Sequence, residues 1–166
     1  GGALEAFVAA RKAGKVRFLG FSAHSVEAAL ALIGRHDFDT ILFPTNFATW
    51  HAGNFGPQVL SAAQAKQMGI LALKAMARGP WPTDAKRDTY PKCWYEPLAV
   101  PDDAMRGLRF TLSHPVTAAI PPGDEKLFSL ALGLGMRFTP LAEGEARAIK
   151  EKGLATTPLF TYPSWG

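Results

Sequence analysis

The residues best suited to chemistry in this sequence stand where short apolar runs end. Ser22 and His24 follow one such run, and Lys74 ends another. Gly123 and Asp124 open a predicted helix, where free backbone N–H groups and the helix dipole attract an anionic group such as phosphate. These five positions are the candidates for ligand binding.

Each of these positions also has an ordinary structural explanation. Ser22 is a polar residue at a strand end, and His24 stands beside Ser25, a good helix N-cap. The stem of Lys74 can pack along an apolar rim and leave its ammonium in water. The residues themselves leave both explanations open.

Other reactive residue types lack the spacing that metal or covalent chemistry needs. His36, His51 and His114 show no i, i+4 or His-x-His spacing and no carboxylate pairing, so we expect no metal site. Cys93 is the single cysteine, which excludes an intramolecular disulfide and a multi-cysteine metal site. It lies in an aromatic segment without a nearby histidine, and we expect an inert or semi-buried thiol. No GxGxxG motif is present, so the dinucleotide fingerprint of the doubly wound fold is absent.

The composition is that of one globular domain covering residues 1–166. Hydrophobic residues make up 48% and charged residues 19%, enough apolar material for a core and too few charges for a disordered chain. The net charge of +4 comes from scattered basic residues, which argues against a nucleic-acid partner. No apolar run approaches the ~18 residues of a membrane span, and no signal-peptide pattern opens the chain, so we expect a cytoplasmic protein. Because the chain begins with Gly inside a predicted helix, we also expect an excerpt of something longer.

The apolar runs predict short strands separated by helices. A first helix is ended by Gly14, and the tail is expected to be irregular from about residue 153. The strands are predicted at 16–21, 40–43, 70–74 and 116–120, and the later helices at 26–34, 57–68, 102–113, 125–134 and 142–152. Continuous apolar strands alternating with helices are typical of a parallel sheet covered by helices. The fold class is therefore α/β, with four parallel βα units preceded by a helix, which is half of an eight-stranded (β/α)8 TIM barrel.

A long segment at 77–100 interrupts this alternation. It is rich in proline and contains the aromatic residues Trp81, Tyr90, Trp94 and Tyr95. A loop of this length in a compact domain is functional or a wrongly assigned element. The aromatic side chains either form a wall over the barrel mouth or pack on the outer helices, and the sequence favours neither arrangement over the other.

Several stretches, in order along the chain, resemble the aldo/keto reductase family. Residues 13–22, AGKVRFLGFS, are similar to a family segment that leads into a strand, and 68–74, MGILALK, to a later strand. Further similarity lies at 38–46, 108–110, 117–123 and 138–145. The resemblance implies the C-terminal half of a barrel and a parent NAD(P)-dependent oxidoreductase that reduces carbonyls or oxidises alcohols by hydride transfer.

The resemblance also implies which residues would contact the cofactor. Ser22 matches the family's serine that hydrogen-bonds the nicotinamide carboxamide, with His24 just after it. Lys74 ends a strand beside the family's loop over the pyrophosphate, and Gly123 with Asp124 opens the helix that would receive a phosphate.

The sequence departs from the family pattern at three nearby positions. Ala23 stands where an asparagine is usual, and Leu42 where a glutamine commonly completes the carboxamide contacts. Lys126 is the only cation near the position of the family's residue for a 2′-phosphate. These departures leave the choice between NAD and NADP open.

The resemblance assigns the catalytic Tyr, Lys, Asp and His to the first half of the barrel, so no catalytic residue is expected in this chain. The isolated chain should then be inactive, its parent enzyme binding a nicotinamide cofactor and a small carbonyl substrate. The alternative is a non-catalytic half-barrel that forms a homodimer or pairs with a separate N-terminal half. An unrelated barrel hydrolase would need a His/Asp metal cluster, which is not seen.

Overall fold

The structure, a computed structural model, describes residues 2–163. Gly1 and residues 164–166, part of the predicted domain and its tail, lie outside the described residues. Within this range the elements follow in the order α1 (Ala3–Lys12), β1 (Gly20–Ser22), α2 (Val26–Arg35), β2 (Thr40–Pro44), α3 (Phe47–His51), α4 (Pro57–Ala65), β3 (Gly69–Leu73), β4 (Ala77–Gly79), β5 (Glu96–Pro97), α5 (Pro101–Leu112), β6 (Ala118–Ala119), α6 (Glu125–Gly135) and α7 (Glu143–Leu154).

Four of the strands form the predicted parallel sheet, in the order β1-β2-β3-β6. The register places Ser22 beside Leu42, Leu42 beside Leu71, and Leu71 beside Ala118. Each connection between neighbouring strands contains at least one helix, as parallel pairing requires. The alternation predicted from the apolar runs is therefore confirmed.

The two faces of this sheet differ in burial. Ile41, Phe43 and Ile70 are fully buried in a core cluster that also contains side chains of α2 and α4. The alternate positions Leu42 and Leu71 are only half-buried. One face is thus covered by helices, while the other is open, as expected for the inward face of an unclosed barrel.

The first predicted strand is placed too early. β1 begins at Gly20, because the backbone N–H of Leu19 donates to the Asp39 carboxylate (2.7 Å) rather than to a neighbouring strand, and the Phe18 side chain is 66% exposed. Gly20 suits the strand start because a Cβ there would lie 2.1 Å from Thr40 Oγ1. Residues 16–18 of this run are exposed and only Leu19 is buried, so the run is not a buried strand.

The last predicted strand is too long. β6 covers only Ala118–Ala119, and the N–H of Val116 turns back to the His114 carbonyl oxygen (2.7 Å). The flanking N–H groups of Thr117 and Ile120 still donate to β3 carbonyls at 2.8 Å, so the strand direction is right.

Three elements, α3, β4 and β5, were not predicted at all. α3 follows β2 directly, because the Asn46 side chain caps it by accepting from Ala48 and Thr49 N–H groups (3.1 and 3.0 Å). The long segment at 77–100 is not wholly irregular, since β4 and β5 at its two ends pair as an antiparallel ribbon.

The helix predicted at 57–68 is too long, since α4 ends at Ala65, before Gln67 in the left-handed region (φ +55°). Two other predicted helix signals are correct. Ser25 accepts from the Ala28 N–H and caps α2. Gly14 ends α1 with φ +70°, and the N–H groups of Gly14 and Lys15 donate back to Arg11 and Ala10 at 3.0 Å. Only a residue tolerant of the left-handed region fits this helix end without strain.

α1 itself contributes no buried residue. Together with the start of the sheet it borders an apolar groove of about 330 Å³, which we call the edge groove. Leu4, Phe7, Val16 and Phe18 are among its lining residues, all exposed. A groove of exposed phenylalanines beside an edge strand is unusual for a monomeric soluble protein.

A second core cluster joins α3, α5, α6 and α7, and one ion pair fixes the start of α7 within it. Both oxygens of Glu145 accept from the Arg109 guanidinium (2.5 and 2.6 Å), which also donates to the Thr139 and Pro140 carbonyls. The hydrogen bond from Arg109, aided by the Ala142 N–H, lowers the pKa of Glu145 from 4.5 to about 2.

This ion pair makes stability depend on pH. A carboxylate whose folded pKa lies below its unfolded pKa stabilises the fold above about pH 4.5, and the effect disappears as the pH falls towards about 2. We expect the free energy of unfolding of Glu145→Gln to fall less over this window than that of the parent chain. Denaturant titrations at several pH values measure the difference, with Glu151→Gln on the same helix as control. Equal slopes for Glu145→Gln and the parent would contradict the assignment.

Candidate functional site

The candidate site lies where the parallel strands end. In parallel α/β sheets the loops after the carboxyl ends of the strands meet on one side, and sites form there. Ser22 ends β1, and Lys74 directly follows the last residue of β3. The region after β6 leads to Gly123 and Asp124 at the start of α6.

Lys74 is the most unusual residue of this region. Its backbone lies in the left-handed region with φ +68°, which is uncommon for a residue with a side chain. Its ammonium lies 5.3 Å from the Trp94 ring centre and 5.0 Å from that of Tyr95. Burial lowers the pKa of Lys74. The ammonium therefore does not stand free in water, as the snorkelling explanation required, but rests against two aromatic rings.

His24 lies close enough to Lys74 for their charges to interact. Burial lowers the pKa of His24, and the positive charge of Lys74 lowers it further. At neutral pH the imidazole is therefore mainly uncharged. The structure thus brings His24 and Lys74 together, while His24 also keeps its position just before the Ser25 cap.

The charges of Lys74 and of Asp124, the cap of α6, both act on Cys93. Its side chain is buried, and burial raises its pKa, with a further contribution from the Asp124 carboxylate and an opposing one from Lys74. The thiol therefore stays protonated and is a poor nucleophile. The expectation of an inert thiol agrees with this environment.

Asp124 caps α6 and is only 6% exposed. Its carboxylate accepts from the N–H groups of Lys126 and Leu127 (3.1 and 3.3 Å). Gly123 beside it is exposed, with open space where a Cβ would stand. The helix start is thus already occupied by a carboxylate of this chain, which would repel an approaching phosphate.

Ser22 lies on the open face of the sheet. Its side chain is exposed, and its register partner Leu42 is half-buried. The next residue, Ala23, donates its N–H to the Leu42 carbonyl oxygen (3.2 Å) and is buried. Ser22 and the two positions that depart from the family pattern, Ala23 and Leu42, therefore lie next to one another at this edge of the sheet.

The chain's irregular tail crosses this region, a feature that the sequence did not indicate. Phe160 lies 5.6 Å from the His24 ring, 6.0 Å from that of Trp94, and stacks on Phe55 at 5.1 Å. The N–H of Tyr162 donates to the Gly53 carbonyl oxygen (2.8 Å) and holds the tail in place. A phenylalanine in an unpatterned tail carries no signal that could have predicted this position.

The aromatic segment divides between the two roles left open by the sequence. Trp94 and Tyr95 form a wall against Lys74, whereas Tyr90 packs against the second core cluster. Trp81 closes the segment on itself by donating to the Cys93 carbonyl oxygen (2.8 Å).

No group of three or more His, Cys, Asp or Glu side chains in residues 2–163 could hold a metal ion. No helix of this range is long and apolar enough to cross a bilayer.

Comparisons with known proteins give structural matches only. The sequence matches no protein-family model and no curated protein. An aldo-keto reductase from Bacillus halodurans in its apo form matches with a TM-score of 0.60 at 14% identity, over 96% of this chain and 58% of that chain. The holo form matches with a TM-score of 0.57 at 14% identity, over 96% and 57% of the two chains.

A third solved structure, the glycerol dehydrogenase from Gluconobacter oxydans, matches with a TM-score of 0.55 at 20% identity. The match covers 95% of this chain and 55% of that chain. The chain therefore spans little more than half the length of the solved structures that it resembles. Taken with the parallel sheet of β1, β2, β3 and β6 between helices, these matches show that the chain has the fold of a partial aldo-keto reductase barrel.

Proposed function

We propose that the chain is the cofactor-side part of an NAD(P)-dependent aldo/keto reductase barrel, the C-terminal half in family terms. The observation that carries this proposal is the convergence of His24, Lys74 and two aromatic rings just beyond the carboxyl ends of β1 and β3. Barrel enzymes bind their ligands at this end, and the fold is that of oxidoreductases.

The residues suit the nicotinamide carboxamide of the cofactor better than its phosphates. The exposed Ser22 hydroxyl can both donate and accept, which suits a carboxamide. Lys74 supplies a positive charge, and His24 a neutral hydrogen-bonding ring. The carboxylate of Asp124 already takes two N–H groups of the α6 start, so this helix offers little to a phosphate. In this proposal the cofactor therefore reaches Gly123 and Asp124 only through the exposed backbone of Gly123.

The bound cofactor would supply the hydride for carbonyl reduction. The residues of this chain would hold it by the Ser22 hydroxyl and place the charge of Lys74 beside it, and Trp94 and Phe160 would flank the same region with aromatic surface. Charge in a site walled by aromatic rings acts more strongly than in water. The proposal covers both NAD and NADP.

Tyr95 lies beside Lys74, and these are two of the residue types that the family uses for proton transfer. The ammonium lies over the Tyr95 ring, and Tyr95 is only 5% exposed. Burial raises the pKa of Tyr95 well above its ordinary value. A phenol in this environment holds its proton tightly, so we do not assign Tyr95 as the proton donor.

Replacing Ser22 by alanine tests the cofactor assignment. Loss of one neutral hydrogen bond is expected to cost about 1 kcal/mol, which weakens NADPH or NADH binding about fivefold. Fluorescence titration with the reduced cofactor measures the dissociation constant. Ser61→Ala, on the exposed side of α4, serves as the control. A chain that binds neither cofactor, or a Ser22→Ala variant with unchanged affinity, would contradict the proposal.

The edge groove favours a second candidate function. Phe7 and Phe18 are 57% and 66% exposed, and β1 and β6 are the two edge strands of the sheet. A half-barrel with a free strand edge and an apolar flank is suited to closing against another half. In this alternative the chain is a non-catalytic assembly module that forms a homodimer or pairs with a separate N-terminal half.

A further inference from the structure

A cavity of about 430 Å³ lies between α3, α5 and α7, and none of the candidate-site residues lines it. Its size is within the range of small-molecule pockets. Close packing of the helices shapes it, since a Cβ at Gly153 of α7 would lie 2.6 Å from the Phe47 carbonyl oxygen. This approach holds α7 against α3 and keeps His51 at the cavity wall.

The floor of this cavity is apolar. Phe110 and Ile149 are buried residues of the second core cluster, and Phe110 lies between two imidazoles. The His51 ring is 5.5 Å and the His114 ring 4.6 Å from the Phe110 ring. A ligand in this cavity would therefore meet an aromatic and aliphatic surface.

The polar part of the lining is basic. His51, His114, Arg147 and Lys150 contribute to it, and no Asp or Glu of residues 2–163 lines the cavity. His114 Nδ1 lies 2.8 Å from the Phe110 carbonyl oxygen and donates to it, which leaves Nε2 as the nitrogen available to a ligand. Burial lowers the pKa of both imidazoles, so the charge at neutral pH resides on the two longer side chains.

These two cations differ in their partners. Arg147 pairs with Glu143 at 3.4 Å, one turn earlier on α7. Lys150 forms no ion pair among the described residues, yet its charge lowers the pKa of His51, which places it near that ring. The Lys150 ammonium is exposed to solvent, and because no carboxylate of the described residues pairs with it, it can attract a negative group that enters the cavity.

We propose that the cavity between α3, α5 and α7 binds a small organic anion with an apolar body, in particular an aromatic carboxylate. The ring lies against Phe110 and Ile149, and the carboxylate faces Lys150 and the His51 imidazole. This site is independent of the proposed cofactor site, because the two share no residue.

Calorimetric titration of the whole chain with benzoate tests the proposal. Benzoate is expected to bind saturably, and benzamide, its neutral analogue of similar shape, at least tenfold more weakly. Lys150→Gln is expected to weaken benzoate binding about tenfold, which corresponds to about 1.4 kcal/mol. Lys12→Gln, an exposed lysine of α1, serves as the control and should bind as the parent does.

Further variants locate the ligand. His51→Gln should also weaken benzoate binding, whereas Lys74→Gln at the cofactor site should not. Absence of saturable binding, equal affinity for benzoate and benzamide, or unchanged affinity in Lys150→Gln would overturn the proposal. A loss in Lys74→Gln instead would assign the ligand to the cofactor site and overturn it equally.

Discussion

The purified chain is expected to consume neither NADPH nor NADH above the buffer background when it is mixed with aldehydes and ketones. Hydride transfer to a carbonyl needs a proton donor at the carbonyl oxygen, and general acid catalysis contributes about 10²–10⁴-fold. Tyr95 is the phenol nearest to Lys74 in this site, but the ammonium lies over its ring and burial raises its pKa. The chain thus has a tyrosine and a lysine side by side, but the Lys74 ammonium lies over the Tyr95 ring, and burial keeps the Tyr95 hydroxyl from acting as an acid.

A matched variant makes this result informative. Tyr95→Phe removes the hydroxyl and keeps the aromatic ring against Lys74, so cofactor consumption should stay at the same background. Robust consumption by the parent chain that disappears in Tyr95→Phe would assign Tyr95 as the acid and contradict the prediction. Consumption that persists in Tyr95→Phe would place another donor in the chain and contradict it as well.

A large effect is also expected on assembly. The edge groove exposes Leu4, Phe7, Val16 and Phe18 beside the edge strand β1, and the inward face of the sheet is open. Burying one phenylalanine gains about 1.5–3 kcal/mol, so covering several at once favours association strongly. We expect the isolated chain to form a dimer that closes two half-sheets, or to aggregate.

Light scattering on freshly purified protein measures the oligomeric state of the chain. Phe18→Ser should shift the population towards the 17.9 kDa monomer, because it removes the most exposed ring of the groove. Met136→Ser is the control, since Met136 is 89% exposed but lies at the end of α6, outside the groove. A monodisperse monomer of the parent chain that unfolds cooperatively would refute the prediction.

The parallel sheet was predictable because its central strands are buried on one face and flanked by clear stop signals. Pro44 ends β2, and Gly69 begins β3 after a helix. The ends of the sheet were not predictable in the same way. An apolar run such as 16–19 has the composition of a strand, but the Leu19 N–H donates to the Asp39 carboxylate and not to a neighbouring strand, which the local pattern does not reveal.

The candidate site was predictable in part for a similar reason. Strand ends identify Ser22 and Lys74, because topology alone brings the carboxyl ends of parallel strands to one side. The contacts of Lys74 with Trp94 and Tyr95 depend on how a segment of more than 20 residues folds back, which local pattern does not determine. Phe160 joins the site through tertiary packing against Phe55, with no local signal.

The two-residue strand β6 has a consequence for the order in which the molecule assembles. The hydroxyl of Thr117, the residue just before β6, accepts from the Ile70 N–H across 47 positions of sequence, and the intervening chain includes the whole aromatic segment. Closing a longer loop costs more chain entropy before any contact compensates for it, and β6 has few backbone partners to offer in return. β1, β2 and β3 are therefore expected to associate first, with the β6 pairing as the late step. Trp94 and Tyr95 belong to the loop that closes last, so the binding cluster around Lys74 would mature after the sheet that supports it.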